Sequence, residues 1–258
     1  MTEPTGFAPG TPSWIDIGTD VEAAKAFYGP LFGWASQEAG PVEETGGYGF
    51  FLKGDKMVAG YGPQQNPGPP FWSTYVSVDD ADEIARRVKS AGGTVIVEPS
   101  DVMGAGRMAV FQDPQGAFIS VWQPARHTGA QVVNEAGSFC WNELDSRDVE
   151  SSAKFYPAVF GWTAKHTADG PMPYTEFQLD GQSIAGMMAM PPMVPAQVPS
   201  FWLVYFAVDD ADATIAKAQE LGGSVQMPAM DIPIGRFAVL ADPQGATFAV
   251  VQLSGEGM

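Results

Sequence analysis

The chain has 258 residues, 45% of them hydrophobic, which suits roughly two folded domains rather than a disordered segment. Thirteen lysines and arginines stand against 30 aspartates and glutamates, and the net charge of −17 argues against nucleic acid or an anionic membrane surface as a partner. Cys140 is the single cysteine, which leaves no internal disulfide, and no apolar run reaches the ~18–20 residues of a membrane span. Residues 1–10 lack the basic-then-apolar pattern of a secretion signal, so a cytoplasmic protein is expected.

In chain order, residues 14–17 read as a strand and 20–31 as a helix, with Asp20 near its start and Gly33 past its end. Residues 50–53 and 57–61 read as strands around Gly54-Asp55, and 63–70 as a connector rich in proline and glycine. A strand over 73–78 leads to a helix over 81–91, closed by Gly92-Gly93. Strands at 94–97, 107–112 and 117–122 follow, the last two joined by the turn Asp113-Pro114-Gln115-Gly116. Residues 124–136 form a polar linker. The second half then runs strand 140–144, helix 148–159, strands 174–179 and 183–189, and connector 191–199. It closes with strand 202–208, helix 211–221 and strands 224–227, 236–241 and 246–252.

The halves repeat in residues as well as in order. Phe27-Tyr28 and Phe32-Gly33-Trp34 return as Phe155-Tyr156 and Phe160-Gly161-Trp162. Phe71-Trp72 and Val78-Asp79-Asp80-Ala81-Asp82 return as Phe201-Trp202 and Val208-Asp209-Asp210-Ala211-Asp212. Gly106-Arg107 and Asp113-Pro114-Gln115-Gly116 return as Gly235-Arg236 and Asp242-Pro243-Gln244-Gly245. Each half divides again, which makes four strand-helix-strand-strand-strand units. One such unit leaves a sheet face apolar, so units must pair, by adjacent or crossed pairing. Paired curved sheets enclose a cleft, the expected ligand site.

These motifs in this order resemble the vicinal oxygen chelate superfamily, which includes glyoxalase I, bleomycin-resistance proteins, fosfomycin-resistance enzymes and extradiol dioxygenases. The resemblance covers about residues 11–124 and 137–253. It implies an α+β fold: two tandem glyoxalase-like domains built from four βαβββ modules, with curved mixed sheets around clefts. It also implies, for the enzymes of the superfamily, a divalent metal held by His and Glu. The corresponding positions here are Ser13 or Trp14, Ser73, Ser120 and the region of Ala59 in one half. In the other they are Cys140 or Trp141, Leu203, Ala249 and the region of Ala189. A metal of this type needs three or four His, Asp, Glu or Cys donors, and neither half supplies them. The two histidines, His127 in the linker and His166 on a strand, are expected to be exposed and inert. No metal and no cofactor is therefore expected.

Aromatic side chains are the other candidates. Strand alternation puts Trp14 with Asp16, and Trp141 with Glu143, on the face opposite Ile15 and Ile17 or Asn142 and Leu144. The aliphatic face suits a helix, which turns tryptophan and carboxylate toward the cleft. Tyr75 and Tyr205 share a face with Ser73 and Leu203, and Phe118, Ser120 and Trp122 line up on the last strand of the first half. Trp72 and Trp202 are further candidates to line the site, whereas Trp34 and Trp162 suit packing. Arg107 and Arg236 either hold a ligand anion or make a salt bridge or turn cap. The expected partner is a small hydrophobic or aromatic molecule bound without metal, with one chain sufficient as a monomer. An enzyme using Asp16 or Glu143 as acid or base, for isomerisation, hydration or a hydroxylase-like step, stays open, as does a regulatory protein with vestigial clefts.

Overall fold

The computed structural model describes residues 4–65, 68–167 and 173–254; Asn66 and Pro67 of the first connector and the first three residues lie outside that set. The first half runs β1 (Pro12–Thr19), α1 (Val21–Phe32), β2 (Ala35–Glu38), a single turn α2 (Val42–Thr45), β3 (Gly49–Lys53) and β4 (Lys56–Pro63). It continues through β5 (Phe71–Ser77), α3 (Ala81–Ser90), β6 (Thr94–Asp101), β7 (Gly106–Gln112) and β8 (Phe118–Pro124). The second half runs β9 (Ser138–Ser146), α4 (Val149–Phe160), β10 (Thr163–Thr167), β11 (Tyr174–Leu179) and β12 (Gln182–Ala189). It closes with β13 (Phe201–Ala207), α5 (Ala211–Glu220), β14 (Ser224–Ile232), β15 (Gly235–Ala241) and β16 (Thr247–Leu253).

Each half forms one eight-stranded, curved mixed sheet, in the order β2-β3-β4-β1-β5-β8-β7-β6 and its repeat β10-β11-β12-β9-β13-β16-β15-β14. Adjacent units therefore share a sheet, joined where β1 runs antiparallel to β5 and β9 to β13. Strands β2 and β10 escape the sequence pattern because they carry no apolar alternation; all four residues of β2 are exposed. The edge strands β6 and β14 also extend past the expected ends, running on through Pro99 and Pro228, a residue that edge strands tolerate.

The helices start on side-chain caps. Asp20, Asp80, Asp148 and Asp210 each accept a hydrogen bond from a first-turn N–H, and Gly33 and Gly161 close α1 and α4 in the left-handed conformation at φ 71° and 76°. The acidic runs at 79–82 and 209–212 are thereby accounted for as helix starts.

The two sheets pack back to back. Ile15, Ile17 and Trp72 of the first half share a core with Val204, Phe206 and Phe248 of the second, and Val76, Phe111 and Ile119 share one with Leu144, Phe155 and Tyr156. At the centre Thr74 Oγ1 donates to Asn142 Oδ1 at 2.8 Å. The repeated motifs build this joint. Tyr28 donates to Asp242 at 3.0 Å while receiving from Trp72 Nε1 at 3.0 Å. Its copy, Tyr156, donates to Asp113 at 2.9 Å and receives from Trp202 Nε1 at 2.9 Å. The other carboxylate oxygen of Asp113 and of Asp242 accepts the N–H groups of its own turn, which explains why each turn needs aspartate. Gly93 and Gly223 are required because a Cβ there would press on Phe155 and on Phe27 of the opposite half. Trp34 and Trp162 close the joint by donating to the carbonyls of Gly137 and Gly10.

Candidate functional site

With one face of each curved sheet committed to the joint, the opposite face, termed its cup, carries the other candidate residues. On β1, Ile15 and Ile17 enter the joint and Trp14 and Asp16 face the first cup; on β9, Leu144 enters the joint and Trp141 and Glu143 face the second. The register brings Tyr75 opposite Trp14, and Tyr205 opposite Trp141. Both cups have the same floor. In the first, Asp16 Oδ2 accepts from Tyr75 at 2.9 Å and from Tyr48 at 3.1 Å, and Tyr48 receives from Trp14 Nε1 at 3.1 Å. In the second, Glu143 accepts from Tyr205 on Oε1 and from Tyr174 on Oε2, both at 2.7 Å, and Tyr174 receives from Trp141 Nε1 at 3.0 Å.

Burial pushes both carboxyls above their ordinary range, against the opposing effect of the tyrosine O–H groups that stabilise the charge. The phenols of Tyr75, Tyr48 and Tyr205 are held far from ionisation, first by burial and then by the adjacent carboxylate. The tyrosines keep their protons and donate hydrogen bonds to the carboxyls. Such a set can orient a polar group or exchange a proton with it.

Tyr48 and Tyr174 were missed in the sequence, as were the glycines that admit them. A Cβ on Gly60 would collide with the Tyr48 hydroxyl, and one on Gly186 with that of Tyr174. Tyr48 with Gly60, and Tyr174 with Gly186, recur at one offset, and that was the signal available.

The walls differ. In the first cup Ser120 pairs with Tyr75 across β5 and β8, and Trp122 stands next to it on the same face. Phe118 stacks on Phe71 at the rim, with ring centroids 6.0 Å apart. The expectation that His127 is exposed is corrected: its imidazole stands edge-on to Trp14 at 4.5 Å, beside Trp122 and Phe50. The linker is pinned there because Trp122 Nε1 donates to the His127 carbonyl at 2.7 Å. Neither ring nitrogen has a partner, and burial lowers the imidazole pKa to about 4. The second cup is walled instead by Leu203, Phe237, Val239, Ala249 and Val251, with Cys140 and Phe201 partly buried against them.

The remaining expected site residues lie elsewhere. Trp72 and Trp202 face the joint, three positions before Tyr75 and Tyr205 and so on the other side of their strands. Arg107 pairs with Asp82 at 2.7 Å, and Arg236 with Asp212 and Asp231 at 3.1 and 2.8 Å; both tie a sheet to its helix outside the cups. His166 is exposed on β10, with Nδ1 2.8 Å from Thr175 Oγ1.

A family model described as the Glyoxalase/Bleomycin resistance protein/Dioxygenase superfamily matches residues 17–121 and 143–250, one match per sheet. The chain belongs to this superfamily. A Mycobacterium tuberculosis protein provisionally named as a glyoxylase, CFP32, is 43% identical over 262 residues, covering 98% of each chain. The anthracycline biosynthesis protein DnrV of Streptomyces peucetius is 40% identical over 265 residues, covering 96% of this chain and 95% of its own. In fold, the chain is similar to the Mn(II)-bound glyoxalase of Novosphingobium aromaticivorans, with a TM-score of 0.65 at 16% identity over 95% of this chain and 82% of the other. It is also similar to the 2,2',3-trihydroxybiphenyl 1,2-dioxygenase of Sphingomonas wittichii, with a TM-score of 0.63 at 12% identity over 96% and 93%.

Metal enzymes of the superfamily raise the question of whether these cups fit a metal. Among the described residues no group of three or more His, Cys, Asp or Glu side chains is placed to hold one. The first cup offers Asp16, already engaged by two tyrosines, and the second offers Glu143 in the same state together with Asp145, two carboxylates at most. Tryptophan, serine, leucine, alanine and the single cysteine, Cys140, stand where the resemblance puts ligands. This donor set does not fit a catalytic metal with three or four protein ligands.

Proposed function

We propose that the chain binds a small hydrophobic or aromatic molecule in its cups, without a resident metal. The observation that carries this reading is the lining: aromatic and aliphatic walls around a carboxylate that accepts from two tyrosine O–H groups, a floor built twice. A flat apolar molecule suits those walls, and each aromatic contact contributes about 0.5–1.5 kcal/mol beyond area burial. A relative named for anthracycline biosynthesis supports a planar polycyclic ligand. The net charge of −17 disfavours nucleic acid and anionic membrane surfaces as partners, and among the described residues no helix is long and apolar enough to cross a membrane.

The test is a calorimetric titration of metal-stripped protein with 1,8-dihydroxyanthraquinone. Saturable binding in the micromolar range is expected, unchanged by EDTA and weakened at least tenfold by Trp141→Ala combined with Trp14→Ala. No saturable binding, or binding that returns only with added metal, contradicts the proposal.

One observation favours a second reading, an acid–base enzyme. The carboxyls of Asp16 and Glu143 are raised by burial toward the range in which proton transfer at neutral pH is effective, and each has two hydroxyls in reach. In that case Asp16→Asn with Glu143→Gln leaves ligand affinity in place and abolishes turnover. An unchanged turnover rate eliminates it.

A further inference from the structure

The second cup holds a carboxylate that the first lacks. Asp145 follows Glu143 by two residues on β9, so both side chains face the cup, and Gly18 occupies the matching place on β1. Asp145 is 5% exposed, and its Oδ1 has no hydrogen-bond partner. Its strand neighbours are Met188 on β12 and Phe201 on β13, neither of which can donate. The titratable groups that face it are Glu143 on its own strand and Tyr205 and Tyr174 beyond, and both tyrosines already donate to Glu143. The adjacent Arg147 does not help, since its guanidinium is committed to the carbonyls of Val198 and Pro195 at 2.9 and 2.6 Å.

An unpartnered buried carboxyl beside a second one is costly to keep, because burial removes its hydration and nothing replaces it. With its proton it is a donor; without it, it demands a cation. A divalent metal is a poor answer, since two carboxyls supply too few donors. An ammonium group is a better one: it brings three donors and a positive charge, and its carbon skeleton can lie against Trp141 and Phe201.

We propose that the second cup takes an aromatic molecule carrying a protonated amine, whose ammonium group is received by Asp145 and Glu143. The assignment rests on the aromatic-ligand reading above and adds the class of ligand and the cup that selects it. The first cup, with Gly18 in place of the second carboxylate and His127 against its wall, has no such preference. Burial and then the charge of Glu143 raise the Asp145 pKa to about 8, so Asp145 keeps its proton at lower pH and the preference of the cup for a cation grows as pH rises toward that value.

The experiment compares 1-naphthylmethylamine, 1-naphthalenemethanol and 1-naphthoate by calorimetry on the full chain. The amine is expected to bind at least tenfold more tightly than the alcohol at pH 8, with the carboxylate weakest. That preference should shrink on lowering the pH to 6. Asp145→Asn should bring the amine to the affinity of the alcohol while leaving the alcohol unchanged, and a melting curve at pH 6 checks that the variant folds. Equal affinity of amine and alcohol, or an amine preference that survives Asp145→Asn, overturns this assignment and leaves the aromatic cup standing. Failure of all three probes, together with failure of the anthraquinone, overturns both.

Discussion

In the first cup the carboxylate is Asp16, both tyrosines donate to one of its oxygens, and the linker lays His127 against Trp14. In the second the carboxylate is Glu143, each tyrosine takes its own oxygen, and Asp145 stands where the first cup has Gly18. Duplication has kept the floor and altered what surrounds it. The joint between the halves has changed least: Trp72-Tyr28-Asp242 and Trp202-Tyr156-Asp113 agree to about 0.1 Å in their hydrogen bonds. Strong sequence repetition therefore marks the mechanical joint, and the chemistry lies among the residues that repeat less conspicuously.

The largest expected effect comes from the glycines under the tyrosines. Gly60→Ala or Gly186→Ala drives a methyl group into Tyr48 or Tyr174, and each should destabilise by about 2–3 kcal/mol in urea denaturation. A similar loss in both cups upholds the shared floor; a loss in only one breaks it. Removing the hydroxyl is milder and separates the cups. Tyr174→Phe strips Glu143 Oε2 of its donor, whereas Tyr48→Phe leaves Tyr75 on the same oxygen of Asp16. Losses of about 1–2 kcal/mol are expected, larger for Tyr174→Phe.

The cups should also answer pH in opposite senses, each by at most about 1.4 kcal/mol per pH unit. Asp145 has a folded pKa raised to about 8, so the native state holds a proton that the unfolded chain releases near 3.8. Stability from this group falls as pH rises from about 4 to 8, and Asp145→Asn should flatten that fall. His127 has a folded pKa lowered to about 4 against 6.5 unfolded, so its contribution is lost as pH falls through that window. His127→Phe should flatten the acid limb. Melting temperatures across pH 4–8 check both. The smallest effect is expected outside the cups: Arg107→Ala breaks a solvent-facing pair with Asp82 and should change stability by no more than about 0.5 kcal/mol, with ligand affinity unchanged.

Much of this was legible in the residues. Alternation on 14–17 sets Trp14 and Asp16 on the side opposite Ile15 and Ile17, and Tyr48 meets both Trp14 and Asp16 there. The same alternation, applied to Trp72 and Tyr75, separates them onto opposite faces, yet matched tryptophans drew attention as ligand contacts. His127 was beyond reach, since a polar linker has no periodicity and its placement depends on a bond from Trp122 to its carbonyl. Tyr48 precedes its strand and Tyr174 begins one, so neither belongs to an alternating pattern, and their role shows only once β3 and β11 lie beside β4 and β12. Asp145 reads as a polar residue near a strand end; its burial shows only once β9 lies between Met188 of β12 and Phe201 of β13.

The most direct measurement is a crystal structure of the protein, purified without added metal, in complex with the anthraquinone. The account predicts the ring system inside a cup, against Trp141 and Tyr205 or Trp14 and Tyr75, with a polar edge toward the carboxylate and no metal ion in contact. A transition metal coordinated by side chains within either cup, or a ligand seated only on the outer surface, would contradict it.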